Sequence, residues 1–192
     1  MAGQDRYTHY PRAILWLVRG GETTIGGKTA SVQPFYLSKL PITNIQFEAF
    51  EPAFERAASS PGDDDIAVGI DFERARRYCE WYAGVSRKPM RLPTEGEWEY
   101  ACGKEIPDEE VDRHVWHAGN SGDTVPNLKK KRPNAFGLLG MLGGVWEWTD
   151  SGALRGGSFR TPPGEIGCAA RRTCDPGLRA EDVGFRIARS LK

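Results

Sequence analysis

Residues 133–148 read PNAFGLLGMLGGVWEW, a glycine-rich run that ends in two tryptophans. Glycine permits backbone turns that residues with a Cβ atom resist. Indole rings are large apolar bodies with one hydrogen-bond donor each, so they suit a core built largely from loops. The run therefore predicts a turn-rich segment whose tryptophans anchor it in the core. Glu147, between them, is expected to pair with a C-terminal arginine, either Arg171 or Arg186.

The whole chain has the size and charge of one globular domain. Its 192 residues are enough to bury a substantial core, and we expect a single domain over residues 1–192. Lysine plus arginine and aspartate plus glutamate number 26 each, so the formal net charge is zero. This balance does not favour nucleic acid as a partner. The apolar run at residues 13–18 is too short for a membrane span or a signal-peptide core, and we expect a soluble, cytoplasmic protein.

Three segments carry residues that commonly begin helices. Asp71 can N-cap a helix with apolar positions on one face, and we expect that helix to end at Gly84. Thr43 and Thr94 each precede a Gln or Glu by three residues, which is the capping-box pattern.

The expected strands are short. They are residues 14–18, 23–25, 35–37, 154–159, 167–171 and 184–188. The first two flank Gly20 and Gly21 and predict a hairpin. Helices first and strands last predict an α+β fold with short antiparallel strands, few helices and a high loop content.

Seven blocks occur in a fixed order along the chain. They are PFYLSKLPITNIQFEAF (34–50), RLPTEGEWEYA (91–101), GNSGDT (119–124), PNAFGLLGMLGGVWEW (133–148), LRGGSF (154–159), CAARR (168–172) and GFRIAR (184–189). Together they resemble the formylglycine-generating (sulfatase-modifying) enzyme family, whose fold is a variant of the C-type lectin fold. The resemblance runs from Leu17 to Arg189 and implies that fold here.

The resemblance does not extend to the family's oxidation chemistry. Active members bind copper(I) with two cysteines that are separated by four residues and follow the GGS-aromatic motif. Here Thr161 takes the first position, and Ile166 or Pro163 the second, depending on the register. None of these is a thiolate, the ligand that suits copper(I). We therefore expect a pseudoenzyme that binds no copper.

The family's calcium ligands are only partly retained. The resemblance places Gly143, Val145 and Glu147 at two carbonyl positions and one carboxylate position. Gly140 replaces an Asn or Asp ligand, and Gly144 replaces a residue that is usually Asn. Because hard cations need several oxygen ligands, we expect a degraded calcium site that is weak or empty.

The resemblance also gives expectations for the cysteines. Cys102 and Cys168 match a family disulfide, and we expect them to be neighbours that remain reduced in a cytosol. Cys79 is expected to be a buried free thiol, and Cys174 an ordinary loop or strand residue. None stands in CxxC spacing, so zinc is not expected.

The expected function is that of a non-catalytic binding or assembly module. Binding residues concentrate on loops, and residues 159–167 and 175–183 are the predicted contact loops. The partner is expected to be a protein or a small ligand, and a homo-oligomer or a complex subunit is compatible with this. The predicted contact residues are Phe159, Arg160, Thr161, Glu165, Arg179 and Glu181.

Two alternatives remain open. Variable proteins of diversity-generating retroelements share this fold and diversify the same C-terminal stretch, although Glu165 and the Pro162-Pro163 pair do not fit their adenine-derived substitutions. The other alternative is a divergent oxidase that modifies a protein or peptide with a different cofactor or residue set.

Overall fold

A computed structural model describes residues 11–25, 28–104 and 106–191 of the chain. Nine strands occur in these ranges: β1 (Leu15–Val18), β2 (Gly21–Ile25), β3 (Lys28–Val32), β4 (Phe35–Ser38), β5 (Trp146–Trp148), β6 (Ala153–Arg155), β7 (Arg171–Thr173), β8 (Val183–Phe185) and β9 (Ala188–Ser190). The α-helices there are α1 (Asn44–Glu48), α2 (Phe72–Ser86), α3 (Glu95–Cys102) and α4 (Val111–His114). Within the described ranges, no helix has the length and apolar character needed to cross a membrane.

The helix starts follow the capping residues. Asp71 accepts a hydrogen bond from the Arg74 amide at the start of α2. Capping boxes with Gln46 and Glu97 open α1 and α3. The predicted end of α2 at Gly84 is wrong, because the helix continues to Ser86 and the left-handed residue after it is Arg87. A glycine inside a helix costs about 1 kcal/mol relative to alanine, which a tertiary context can override.

The strand pairing corrects the predicted hairpin. β1 pairs with β4, which in turn pairs with β9, while β2 pairs with β3 in a separate two-stranded sheet. Val18 and Phe35 are partners across β1 and β4, and both are buried. The polar sequence of β2 offers no comparable apolar contact, so burial rather than chain proximity selects the partner of β1.

The C-terminal sheet has the order β7-β6-β5-β8. The β7–β6 and β6–β5 pairs are antiparallel as predicted, but β5 and β8 run parallel. The predicted strand at 154–159 ends at Arg155, because Gly156 and Gly157 adopt φ values of 98° and 81° that leave the extended region. The predicted strand at 184–188 is divided between β8 and β9, which belong to different sheets.

Aromatic side chains fill the core beneath these sheets. Trp98 and Trp148 are fully buried. Phe47 stacks on Tyr78 with ring centroids 5.7 Å apart, and Phe185 meets both rings edge-on. This core holds β5 and β8; residues 159–167 connect β6 to β7, and residues 175–183 lead from β7 into β8.

Candidate functional site

The tight turn at residues 158–161 occupies the place where the resemblance puts the first catalytic cysteine. The Thr161 amide donates to the Ser158 carbonyl at 3.0 Å. The Ser158 amide donates to Thr161 Oγ1 at 2.9 Å, and Ser158 Oγ donates to Asp182 Oδ2 at 2.8 Å. Both Ser158 and Thr161 are buried. The threonine hydroxyl therefore closes a turn at this position.

The exposed side of the same turn is charged. Arg160 Nε lies 2.9 Å from Asp123 Oδ1, and Arg160 Nη2 lies 3.6 Å from Glu181 Oε2. The hydrogen bond that Arg160 donates to Asp123 raises the pKa of Arg160 above its ordinary value. The guanidinium carbon stands 4.9 Å from the centre of the Phe159 ring. The structure thus brings Arg160 and Glu181 together, and the Arg160 guanidinium lies over the buried Phe159 ring.

Of the other predicted contact residues, two are buried and two are exposed. Phe159 is 0% exposed and Thr161 is 8% exposed, so neither is presented at the surface as expected. Phe159 belongs to a core cluster, and Thr161 is drawn inward by its turn. Glu165 is exposed in the 3-10 turn Pro163–Glu165. Arg179 is exposed, and it pairs with Asp71 at 2.7 Å.

Glu147 forms an ion pair in the interior. Its Oε2 accepts from Arg186 Nε at 2.6 Å and from Trp98 Nε1 at 2.7 Å. Its Oε1 accepts from Arg186 Nη2 at 2.7 Å. The side chains of Glu147 and Arg186 are both 0% exposed. Of the two arginines expected from the sequence, Arg186 is therefore the partner, and the carboxylate already meets a cation of the chain itself.

Leu128 fills the space beside the positions of the missing calcium ligands. Gly140 and Gly144 adopt φ values of 65° and 69°. A Cβ atom at Gly140 would lie 2.4 Å from Leu128 Cδ1, and one at Gly144 would lie 2.7 Å from Leu128 Cδ2. Leu128 is 4% exposed and packs against Val145 in the core. With the Glu147 carboxylate engaged as well, these residues do not fit a calcium ion.

One pair of cysteines is oxidised, although free thiols were expected. Cys102 and Cys168 are neighbours, as expected, but they form a disulfide with Cα atoms 5.6 Å apart. Cys79 is buried and free, and burial raises the pKa of its thiol. Cys174 is free and partly buried, and burial also raises its pKa. Positions 161, 163 and 166 offer a threonine, a proline and an isoleucine, which do not fit copper(I).

Three residues of this surface were not predicted from the sequence. They are Asp123, which pairs with Arg160, and Ser158 and Asp182, which are joined by a hydrogen bond that Ser158 donates. Asp123 lies in the GNSGDT block and adopts a φ of 56°, a conformation in which aspartate is enriched. The GNSGDT block could therefore have pointed to Asp123, whereas no motif in the sequence points to Asp182.

Comparisons with known proteins agree with this architecture. The family model described as "Sulfatase-modifying factor enzyme 1-like domain" matches residues 4–191. The formylglycine-generating enzyme of Mus musculus is 30% identical over 165 residues, which cover 62% of this chain and 42% of the mouse protein. The inactive C-alpha-formylglycine-generating enzyme 2 of Bos taurus is 29% identical over 177 residues, which cover 72% of this chain and 56% of the bovine protein. The chain thus spans less than two thirds of either relative.

A solved structure supports the same fold. Treponema denticola variable protein 1 superposes with a TM-score of 0.81 at 19% identity and covers 92% of this chain and 94% of its own. The predicted α+β fold, the formylglycine-generating-enzyme variant of the C-type lectin fold, is confirmed. The chain belongs to the family of sulfatase-modifying factor enzyme 1-like domains.

Proposed function

We propose that the chain is a non-catalytic binding or assembly module that presents residues 159–167 and 175–183 to a protein or a small ligand. The observation that carries this proposal is the turn at residues 158–161. The resemblance places the first copper-binding cysteine of active members at Thr161, whose hydroxyl here accepts a hydrogen bond from the Ser158 amide. A hydroxyl so held supplies neither a soft metal ligand nor a redox group.

The exposed ion pairs of the turn can be replaced by ion pairs with a binding partner. Asp123 and Glu181 have side chains that are 78% and 55% exposed, so their ion pairs with Arg160 are screened by water. Exposed pairs of this kind contribute little to stability. A ligand that carries a carboxylate can therefore replace Asp123 at Arg160 at low cost, while the buried turn keeps its shape.

The relatives are compatible with this proposal but do not decide it. The bovine relative is named as inactive, and the mouse relative is named as an enzyme. A second candidate is a variable ligand-binding protein, which the end-to-end superposition on Treponema denticola variable protein 1 favours. A neighbouring reverse-transcriptase gene with a near-copy of the region that encodes residues 159–183 would support it, and their absence would refute it.

Two experiments test the proposal. The purified protein is incubated with copper(I), oxygen and a sulfatase-motif peptide, with the mouse enzyme as a positive control, and formylglycine is measured by mass spectrometry. We expect no product above background, and turnover would favour the divergent oxidase instead. Co-purification from the native source then compares wild type with Arg160→Glu, with the exposed Arg172→Glu as the matched control. Loss of the partner only in Arg160→Glu supports the proposal, and a wild type that retains no partner refutes it.

The cellular compartment is part of the same proposal. The sequence predicts a cytoplasmic protein, and this stays a prediction. The Cys102–Cys168 disulfide is of a kind that persists in oxidising compartments. Thiol labelling of the protein taken directly from its source distinguishes the two: four labelled cysteines indicate a reducing compartment, and two indicate an oxidising one.

A further inference from the structure

A cavity of about 380 Å³ lies between the C-terminal end of α3 and residues 132–142. Its lining includes no residue of the two loops proposed for partner binding. Leu138, Met141 and Leu142 line it and are buried. Pockets that hold small molecules have volumes of roughly 300–1,000 Å³ and mostly apolar linings. The size and lining of this cavity therefore match a small-molecule site.

The walls of the cavity are held in place by one asparagine. Asn134 Nδ2 donates to the carbonyls of Ala101 and Cys102 at 2.7 and 3.0 Å. Asn134 Oδ1 accepts from the amides of Phe136 and Leu138, each at 3.0 Å. The side chain thus ties the end of α3 to the 134–138 turn. A cavity whose walls are linked in this way is formed before a ligand arrives, which lowers the cost of binding.

Both aromatic and cationic side chains line this cavity. Tyr100 and Phe136 line it, with ring centroids 5.3 Å apart. Lys104 and Arg132 also line it and are exposed, and the described lining residues include no Asp or Glu. An apolar interior with a cationic mouth is complementary to an apolar body that carries one negative charge.

Among the described residues, Glu110 is a carboxylate close to Arg132, and it is paired with another arginine. Glu110 Oε1 lies 2.5 Å from Arg113 Nη1. Glu110 Oε2 is 3.9 Å from Arg132 Nη1 and 4.0 Å from His114 Nε2, which are beyond hydrogen-bond distance. The Arg132 guanidinium therefore keeps donors for an incoming anion, and Arg is well suited to bind a carboxylate through two of them.

We propose that this cavity binds a small amphiphilic anion, with an aromatic or branched apolar body inside and one carboxylate or sulfonate at Arg132 and Lys104. The apolar body displaces water from Leu138 and Met141, and the charge stays at the mouth where water can reach it. This site is separate from the partner-binding loops, so its occupancy does not depend on the proposed function.

A pair of dyes tests the proposal. The sulfonated dye 8-anilinonaphthalene-1-sulfonate and its neutral analogue N-phenyl-1-naphthylamine share one apolar body, and their fluorescence reports binding to the folded protein. Ala135→Trp blocks the cavity from an exposed lining position, so we expect it to weaken both dyes. Arg132→Glu should weaken the sulfonated dye by about tenfold or more, the loss expected for one charge-assisted hydrogen bond, and leave the neutral dye within about twofold.

Two control variants test whether the effect of Arg132→Glu is specific to the cavity. Lys130→Glu makes the same charge change at an exposed position outside the lining, and Arg160→Glu makes it in the partner-binding loops. We expect neither to change the affinity for either dye by more than about twofold. If Ala135→Trp binds both dyes as wild type does, or Arg132→Glu and Lys130→Glu are equal toward the sulfonated dye, the proposal is wrong.

Discussion

Replacing Glu147 by glutamine removes one charge from the buried ion pair with almost no change of shape. In the wild type, the carboxylate accepts two hydrogen bonds from Arg186 at 2.6 and 2.7 Å. Arg186 also donates to the carbonyls of Ser38, Leu139 and Gly140 at 2.9, 3.1 and 3.3 Å. The substitution leaves these neutral acceptors and takes away the only charge that the described contacts set against the guanidinium.

The expected cost follows from the burial of both partners. Because both side chains are 0% exposed, water does not screen the charge that remains. Breaking a buried pair by removing one partner costs about 3–5 kcal/mol. For a domain of this size, each kcal/mol lowers Tm by about 2–4 °C, so Glu147→Gln should lower Tm by about 6–20 °C. Adding Arg186→Met removes the stranded charge and should recover part of that loss.

Urea unfolding with calcium chloride or with a chelator separates the two roles of Glu147. As an ion-pair partner, its loss costs the same free energy of unfolding in both buffers. As a calcium ligand, it would make wild type more stable in calcium, and Glu147→Gln would abolish that gain. Glu73→Gln is the matched control, since its partner Arg76 is exposed and the change should stay within about 0.5 kcal/mol. A cost below about 1 kcal/mol for Glu147→Gln, or a gain in calcium that this variant loses, refutes the reasoning.

Three further predictions concern the packing, the disulfide and the surface charges. Gly140→Asp should cost about 3 kcal/mol or more in urea unfolding, because the new side chain collides with a buried leucine and buries a carboxylate. Gly152→Asp, at a φ of 78° with no atom within 4 Å of its Cβ position, should cost less than Gly140→Asp in the same assay. Replacing Cys102 and its disulfide partner by serine should cost about 4 kcal/mol in urea unfolding, the loop-closure value for a separation of 66 residues. A hydrogen bond from Arg171 lowers the pKa of Glu95 below its ordinary value, so the pair stabilises the fold above the unfolded-state pKa and loses this effect as pH falls through the folded-state pKa. Arg171→Ala should raise the pKa of Glu95 in an NMR titration and make stability less sensitive to acid.

Features set by neighbouring residues could be predicted from the sequence. The capping boxes at Thr43 and Thr94 are both present, because each needs only residues three positions apart. The burial of Cys79, by contrast, was expected from the family resemblance. The fold itself followed from the order of the blocks, which no local propensity supplies.

Features set by distant partners could not be predicted in the same way. The β1–β2 hairpin failed because Val18 has a better apolar partner in Phe35 than the polar strand nearby. Phe159 and Thr161 were expected at the surface, since their sequence lies in a loop, yet a core cluster and a turn draw them inward. In each case, the deciding contact is made by residues that sequence spacing alone does not bring together.

Gly140 and Gly144, which precede Glu147 in the chain, and Leu128 depend on one another for their packing. Leu128 can enter the space beside residues 140 and 144 only because both are glycine, and the resemblance places oxygen-bearing side chains at these two positions. The Glu147 carboxylate then depends on Arg186 for its compensating charge. Apolar contact and an internal cation thus hold the segment before β5, and neither depends on the supply of a metal. Restoring a carboxylate at position 140 alone would therefore not restore a calcium site, because Leu128 would still occupy the space in front of it.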